Sequence, residues 1–523
     1  MGKGRRQGLW TILLATVALY AGRAAAADLA EDATPTASDE PADTAPATSE
    51  PTLFSAAWTA TLGVDLAAEE PDEDVLTLRN RLDMDIKHPV SAALTARLAA
   101  RLLHRTQVGH DGAVYRPALR ASLPDLGMRY DALPDLREAY LQWNKPWGRL
   151  TVGRDMVNWG SLELQSPLRI VSPTDFSRGL AGMVGGDESA LLPIWMVRLQ
   201  RPLGPGQLDL VYVPFLDQHR FSPFATDAAF VRPGFGPELP ATMAVMLRRL
   251  DLRLDRGLSE SLMTALRPPA ATPLDGSVGG RWSMRAGSVD LAVVALLNWD
   301  RLPALRLDPD LLLVLTKTSA AGFDVAKQVA VFADPAVAEA AQRAKGKQFN
   351  DLATATWHRR AVLGGELQFE PIDGWLVRAD VAYSHQRVFM DSQFVPIVSG
   401  LVQAGAGLEK SHSDWLTVLV EATWQWAHAI ARDRQLLLAA PVQVQVGGGA
   451  LLRLGEGQPW LVQLGGFYGV TLHDWALAPR LRYEFNDQWQ AAVGGIVADG
   501  PANSPGGFFG RDDQVIVEIR RGL

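Results

Sequence analysis

From about Leu53 onward, apolar and polar residues change places at every second position. Phe54, Trp58, Leu62, Val64 and Leu66 share one parity, and Ser55, Thr59, Thr61 and Asp65 hold the other. Beyond a polar stretch at 69–74, Leu76, Leu78, Leu82, Met84 and Ile86 alternate with Thr77, Arg79, Arg81, Asp83, Asp85 and Lys87. After His88-Pro89 the pattern resumes, with Leu94, Ala96, Leu98, Ala100 and Leu102 set against Thr95, Arg97, Arg101 and Arg105. A repeat of two is what a β-strand imposes, because successive side chains leave its two faces in turn; a helix needs a repeat near 3.6.

The C-terminal half behaves alike. Leu363, Leu367 and Phe369 oppose Glu366, Gln368 and Glu370; Val377, Val381 and Tyr383 oppose Arg378, Asp380 and Ser384. Leu416, Val418, Val420, Ala422, Trp424 and Trp426 oppose Thr417, Glu421, Thr423 and Gln425. In the last segment Val515, Val517, Ile519 and Leu523 alternate with Ile516, Glu518 and Arg520, and Arg521 falls on the apolar side at an expected membrane interface. Soluble antiparallel sheets also alternate, so three further features decide the class. The strands are long, roughly twice the soluble mode of ~5–6 residues. Short turns (Pro371–Gly374, Ser411–Asp414, Glu456–Gln458) trade places with longer loops, the habit of outer-membrane barrels. Trp375, Trp415, Trp424, Trp426, Trp460, Trp475 and Trp489 gather near strand ends, where an indole suits the membrane interface and ordinary core packing is the competing explanation.

The apolar parity is nearly free of charge, whereas the other is dense in Arg, Asp, Glu and Gln, too polar for a sandwich core. The expectation is therefore an all-β fold: one antiparallel transmembrane β-barrel of about 18 strands, in a range of roughly 16–20, over residues 53–523. Two stretches break the alternation. Residues 156–192 read as a loop insert, and 303–357 as a partly helical insert. In the second, Asp308-Pro309 and Asp334-Pro335 are helix starts, Leu311, Leu315, Val325, Val329, Val331, Val337 and Ala340 form a loose stripe, and Lys345-Gly346-Lys347 closes it.

Residues 1–27 carry Lys3, Arg5 and Arg6, an apolar run from Leu9 to Ala21, and Ala25–Ala27 before Asp28, the pattern of a secretory signal peptide. The run is short of the ~20 residues a spanning helix needs, which disfavours a retained anchor. Residues 28–52, rich in Ala, Pro, Thr, Asp and Glu, have no hydrophobic pattern and read as a disordered linker. After cleavage the expected location is the outer membrane of a Gram-negative cell. A formal charge of −8 gives no footprint for nucleic acid, and zero cysteines exclude disulfides, thiolate metal sites and cysteine nucleophiles.

Leu136–Leu141 (LREAYL), Leu150–Asp155 (LTVGRD), Asn158-Trp159-Gly160 and Ile170–Asp175 (IVSPTD) resemble an uncharacterised proteobacterial family of outer-membrane barrels. That family's pattern is an LREAY strand, a GRQ…WG strand and an NP-D loop, and it is distantly similar to alginate-export barrels. Leu192–Met196 and Leu210–Pro214 match its next two strands. Asp155 stands where Gln is usual and Ser172 where Asn is usual. A barrel is expected to have outer-membrane lipids and the barrel-assembly machinery as partners, and the resemblance implies in addition an export pump or polysaccharide-secretion components.

The sequence offers no enzyme signature. Nine His are scattered without metal spacing, no phosphate loop or nucleophile elbow occurs, and no cofactor is expected. Gly447-Gly448-Gly449 resembles a phosphate cradle only superficially and reads as a strand kink where side chains must be absent. The charged parity supplies the functional candidates. Arg79, Arg81, Arg97, Arg101 and Arg105 would form a basic wall, with Asp83, Asp85, Glu366, Asp380 and Glu421 opposing it and Arg378 among them. Such residues either line a conducting lumen or form a self-neutralising cross-strand ladder. Arg154, Asp155, Asn158, Trp159 and Asp175 are candidates for a loop constriction, or for a hydrogen-bonded turn. The function expected is a porin-like channel or export conduit for small polar, lipid or polysaccharide cargo. The alternative is a plugged structural or adhesive barrel whose insert binds a surface partner.

Overall fold

The computed structural model describes residues 52–66, 74–109, 114–115, 136–176, 191–220, 275–321, 325–345, 347, 351, 353–391, 395–455, 457–510 and 513–523. Residues 1–27, read above as a signal peptide, residues 28–51 of the stretch read as a linker, residues 177–190 of the first insert and the side chain of Arg105 lie outside what is described.

The alternating segments become strands β1 (Leu53–Asp65), β2 (Asp74–Ser91), β3 (Leu94–Gly109), β5 (Leu136–Lys145), β6 (Gly148–Asp155), β7 (Ile194–Leu203), β8 (Gly206–Val213), β9 (Ser277–Ala286) and β10 (Val289–Trp299). They continue as β13 (Arg359–Ile372), β14 (Trp375–Met390), β15 (Pro396–His412), β16 (Leu416–Ala427), β17 (Val442–Leu454), β18 (Trp460–Gly469), β19 (Asp474–Glu484), β20 (Trp489–Asp499) and β21 (Gln514–Gly522). Each pairs antiparallel with the next, and β21 closes on β1 through Ala57↔Gly522 to Asp65↔Gln514, giving a closed 18-strand barrel. Closure leaves no sheet edge, so strand backbone groups find partners without water. β4 (Val114–Tyr115) is a short annex on β3, and β11 (Ala304–Leu307) pairs with β12 (Ala353–Thr356) as a separate ribbon lying against β14 and β15.

Connections sort by end. One end has tight turns: Ala92-Ala93, Pro146-Trp147, Gly204-Pro205, Gly287-Ser288 and Asp373-Gly374 among them. Gly287 (φ 65°) and Gly374 (φ 71°) take the left-handed conformation such turns demand. The other end carries 110–135, 156–193, 214–276, 300–358, 428–441 and 500–513. Short turns mark the periplasmic side in barrels of this kind.

The outward parity is a continuous apolar belt: Leu141, Val152, Val293, Leu363, Val381, Val420 and Ile519 are all exposed, Leu363 to 61%. Leaving so many aliphatic side chains bare is costly in water and costless in hydrocarbon. Aromatic rings rim it at both ends: Trp143, Trp147, Trp415 and Trp460 by the short turns, and Tyr383, Trp424, Trp426 and Tyr468 toward the long loops. Lys145 over Trp143 (5.4 Å), Lys410 over Trp375 (5.2 Å) and Arg521 over Trp489 (5.2 Å) seat cations in the first of these rims.

The second insert folds as helices α1 (Pro309–Ala321), α2 (Val325–Ala333) and α3 (Pro335–Lys345). Asp308 caps α1, accepting from the amides of Asp310 and Leu311 at 3.1 and 3.2 Å, and Lys347 binds Asp308 at 2.5 Å. The expected stripe is only partly inside. Val337 and Ala340 are buried, whereas Val329 on α2 is 64% exposed. A fourth helix, α4 (Pro505–Phe509), is pinned by Phe508 and Phe509 against Ala476, Ala478, Ile496 and Ala498 on the inner face of β19 and β20.

Candidate functional site

The inner wall has two different regions. From β19 round through β21 and β1 to β5 it carries charge, hydrogen-bonded in a cross-strand ladder, except where α4 covers apolar positions of β19 and β20. Arg97 binds Asp85 and Glu138, each at 2.8 Å; Arg101 and Arg81 share Asp83 at 2.7 and 2.6 Å; Arg480 binds Glu518 at 2.5 Å. Asp83 and Asp85 therefore do not oppose the basic wall; they stand within it, because the register places Asp83 beside Arg101 and Lys87 beside Arg97. Arg79 and Arg81 share this inward parity, Arg79 across from Arg105.

On the far side the inward parity turns apolar. Ile194 and Met196 of β7, Val211 and Val213 of β8, Val294 and Leu296 of β10, Val362 of β13 and Ala382 of β14 are buried together. This departs from the expectation of a polar lumen throughout. Its cause is the first insert. Residues 156–176 turn back into the barrel and lay Val157, Trp159, Leu168 and Val171 on this wall. Each such aliphatic burial contributes about 1.5–3 kcal/mol.

Missing side chains on the wall make room for the loop. A Cβ at Gly364 would stand 2.4 Å from Leu168 Cδ2, one at Gly405 2.5 Å from Leu162 Cδ1, and one at Gly447 2.8 Å from Leu164 Cδ1. Gly447 is thus where a backbone lets another residue in, and its strand keeps an unbroken register on both sides rather than the expected kink.

The carboxylates expected to face the lumen instead hold the loop's backbone. Glu366 Oε1 accepts from Gly160 N at 3.1 Å. Asp380 accepts from the amides of Ser161 (2.9 Å) and Leu162 (3.1 Å) and from the hydroxyls of Ser161 and Ser166, both 2.6 Å. Glu421 accepts from the amides of Glu163 (2.6 Å) and Leu164 (2.9 Å). Arg378 pairs with Glu163 (3.3 Å) and Glu409 (2.8 Å), and Arg281 with Glu366 (2.8 Å). Burial pushes the Glu163 carboxyl up, against the pull of Arg378 and Arg169. Three acids from β13, β14 and β16 thus satisfy the amides of a segment without secondary structure of its own, which a buried loop requires.

The constriction candidates separate. Trp159 is 2% exposed and donates through Nε1 to Asp209 at 3.1 Å, an acid also gripped by Arg198. Asn158 is exposed on the loop and accepts from Arg169 at 3.0 Å. Asp175 is buried and pairs with Arg220 at 3.1 Å, tying the loop's return limb to 214–220. Asp155 ends β6 on the inward parity and caps Met156 N at 2.7 Å. Arg154 departs from the expectation. It lies in β6, opposite Ala139 and Trp195, on the parity of exposed Val152 and so off the lumenal parity, yet it is buried, 4% exposed, and its Nε donates to Leu136 O at 2.7 Å. Sequence reasoning missed Arg198, Asp209, Arg281, Glu163 and Arg169; the near-continuous apolar run of β10 was the available signal that its inner face meets protein.

A closed antiparallel barrel with an apolar belt, two aromatic rims and a partly charged interior defines a transmembrane β-barrel of the outer-membrane type. Among solved structures the chain is similar to OccAB1 of Acinetobacter baumannii (6% identity, 91% of this chain and 96% of that one, TM-score 0.44). It is also similar to OccK5 (OpdH) of Pseudomonas aeruginosa (8%, 91% and 98%, 0.43) and to OmpF of Salmonella typhi (8%, 90% and 97%, 0.39). No protein-family model and no curated protein matches.

Proposed function

We propose that this chain is an outer-membrane, porin-like channel for small polar solutes, narrowed from one side by the folded-in segment 156–176. The observation that carries this is the division of the inner wall. The loop seals the apolar sector from β7 to β17, while the Arg/Asp/Glu ladder of β19 to β5 keeps partly accessible side chains, Arg97 and Asp85 at 33% and 35%. A wall of fixed, alternating charge orients water and polar solutes. Conductance in planar bilayers tests the proposal. Wild-type protein should pass current, and a variant lacking 160–168 should pass more; membranes that stay closed with both would end the channel reading.

A second function is favoured by one observation. Helix α2 presents Val329 and Phe332, 64% and 46% exposed, from the long-loop end. If the insert serves surface binding, removing 309–345 should abolish adhesion and leave conductance unchanged. The family resemblance extends the channel proposal toward an export-associated conduit, for which co-purification with pump or secretion components is the test.

A further inference from the structure

At the long-loop end of the interior, the guanidiniums of Arg387 and Arg360 act on one carboxylate, that of Asp300. Asp300 is 1% exposed and accepts from Arg387 Nη1 at 2.6 Å and Val388 N at 3.1 Å. Burial alone would raise its carboxyl, but Arg387, Arg360 and the Val388 amide hold it below the usual range. Arg301 is fully buried and donates to the carbonyls of Asp217 and Val171. Burial, and then the charges of Arg387 and Arg301, push His219 down to about 3, so it is neutral and accepts from Thr174 N at 2.8 Å.

Arg360 is the group this arrangement leaves unexplained. It sits on the inward face of β13, in step with Val362 and Glu366, and is 4% exposed. Its Nε donates to Asn298 Oδ1 at 3.1 Å. Its two terminal nitrogens have no hydrogen-bond partner among the described residues, yet they are not sealed from the accessible surface. Asp300 is already bound by Arg387, so it does not absorb Arg360's fork. A nearly buried cation without a bonded counter-charge is costly unless another group completes it. The planar fork of a guanidinium fits the two oxygens of a carboxylate or phosphate.

We propose that Arg360, with Arg387 beside it, is a binding site for a small oxyanion group, carboxylate or phosphate, reached from the long-loop mouth of the barrel. The site deepens the channel reading and rests on it for access.

The test is equilibrium binding of inorganic phosphate and of acetate to the full chain in detergent, followed by the line widths of their ³¹P and ¹³C resonances. Saturable broadening of at least one probe is expected. R360Q should raise the half-saturation concentration about tenfold or more, and R360K by less, since charge remains without the fork. R285Q, on an exposed side chain at the short-turn end, should leave it unchanged. Heat-modifiable gel migration verifies that each variant is folded. Broadening by phosphate only, acetate only or both assigns the anion. No saturable broadening, equal binding by R360Q, or an equal loss in R285Q overturns the site. Bilayer current on the same samples separates the two claims: binding with closed membranes ends the channel reading and keeps the site, while current without binding does the reverse.

Discussion

Asp380 is the residue on which the folded-in segment depends most. Five hydrogen bonds reach its two oxygens from Ser161, Leu162 and Ser166. Asp380→Asn replaces an acceptor by an NH2 aimed at donors. Bonds to a charged group are worth about 1.5–3 kcal/mol each. We expect Asp380→Asn to shift the loop toward release by about tenfold or more, read as higher bilayer conductance and faster proteolytic nicking within 156–176. Unaltered conductance and protection would remove Asp380 from this role. His219 gives a pH window. Its folded value, about 3, lies below the ordinary ~6.5, so the folded state holds fewer protons than the unfolded one between those limits. The packing of 171–176 against 214–220 should therefore be intact above ~6.5 and weaken as pH falls toward 3. Hydrogen exchange at the Thr174 amide, corrected for intrinsic rate, should show protection declining over that range, and His219→Gln should flatten the decline.

At the scale of elements, the loop and the wall specify each other. The wall lacks side chains at Gly364, Gly405 and Gly447 where Leu168, Leu162 and Leu164 arrive, and its acids wait where the loop's amides are unpaired. Filling one socket should therefore mimic the loss of an anchor. Gly405→Leu places its first carbon 2.5 Å from Leu162 Cδ1 and should loosen the segment without unpairing β15. Overpacking of this kind costs about 1–3 kcal/mol. The readout is the same rise in conductance, with strand content unchanged by circular dichroism. The sequence made much of this scale legible, since the strands, the Asp-Pro helix starts and the position of the first insert all follow from periodicity and caps. It did not show that Glu366, Asp380 and Glu421 serve the loop rather than open water. Those acids are more than 200 positions from the amides they bind, and no local pattern encodes that meeting.

For the molecule as a whole, two solvents select the two faces. Val293 on the belt is 60% exposed, whereas Thr61 on β1 turns inward beside the ladder, opposite Arg79 and Glu518. A cation at the bilayer midplane costs roughly 2–4 kcal/mol. Val293→Arg should lower the yield of folding into lipid vesicles, while Thr61→Lys should be tolerated; equal effects would contradict the assignment of faces.

Periodicity by itself determined the β class, the parity of each clear strand and the existence of both inserts, because side-chain direction in a strand is fixed by local geometry. It also put Arg521 at an interface, where it lies over Trp489. Only the tertiary structure decided which inward positions meet protein and which face the open ladder. Cross-strand register paired Asp83 with Arg101, took Arg154 off the lumenal parity and left the terminal nitrogens of Arg360 without a bonded partner among the described residues. Register and loop docking depend on contacts between residues far apart in the chain, and closure of the barrel is what brings them together.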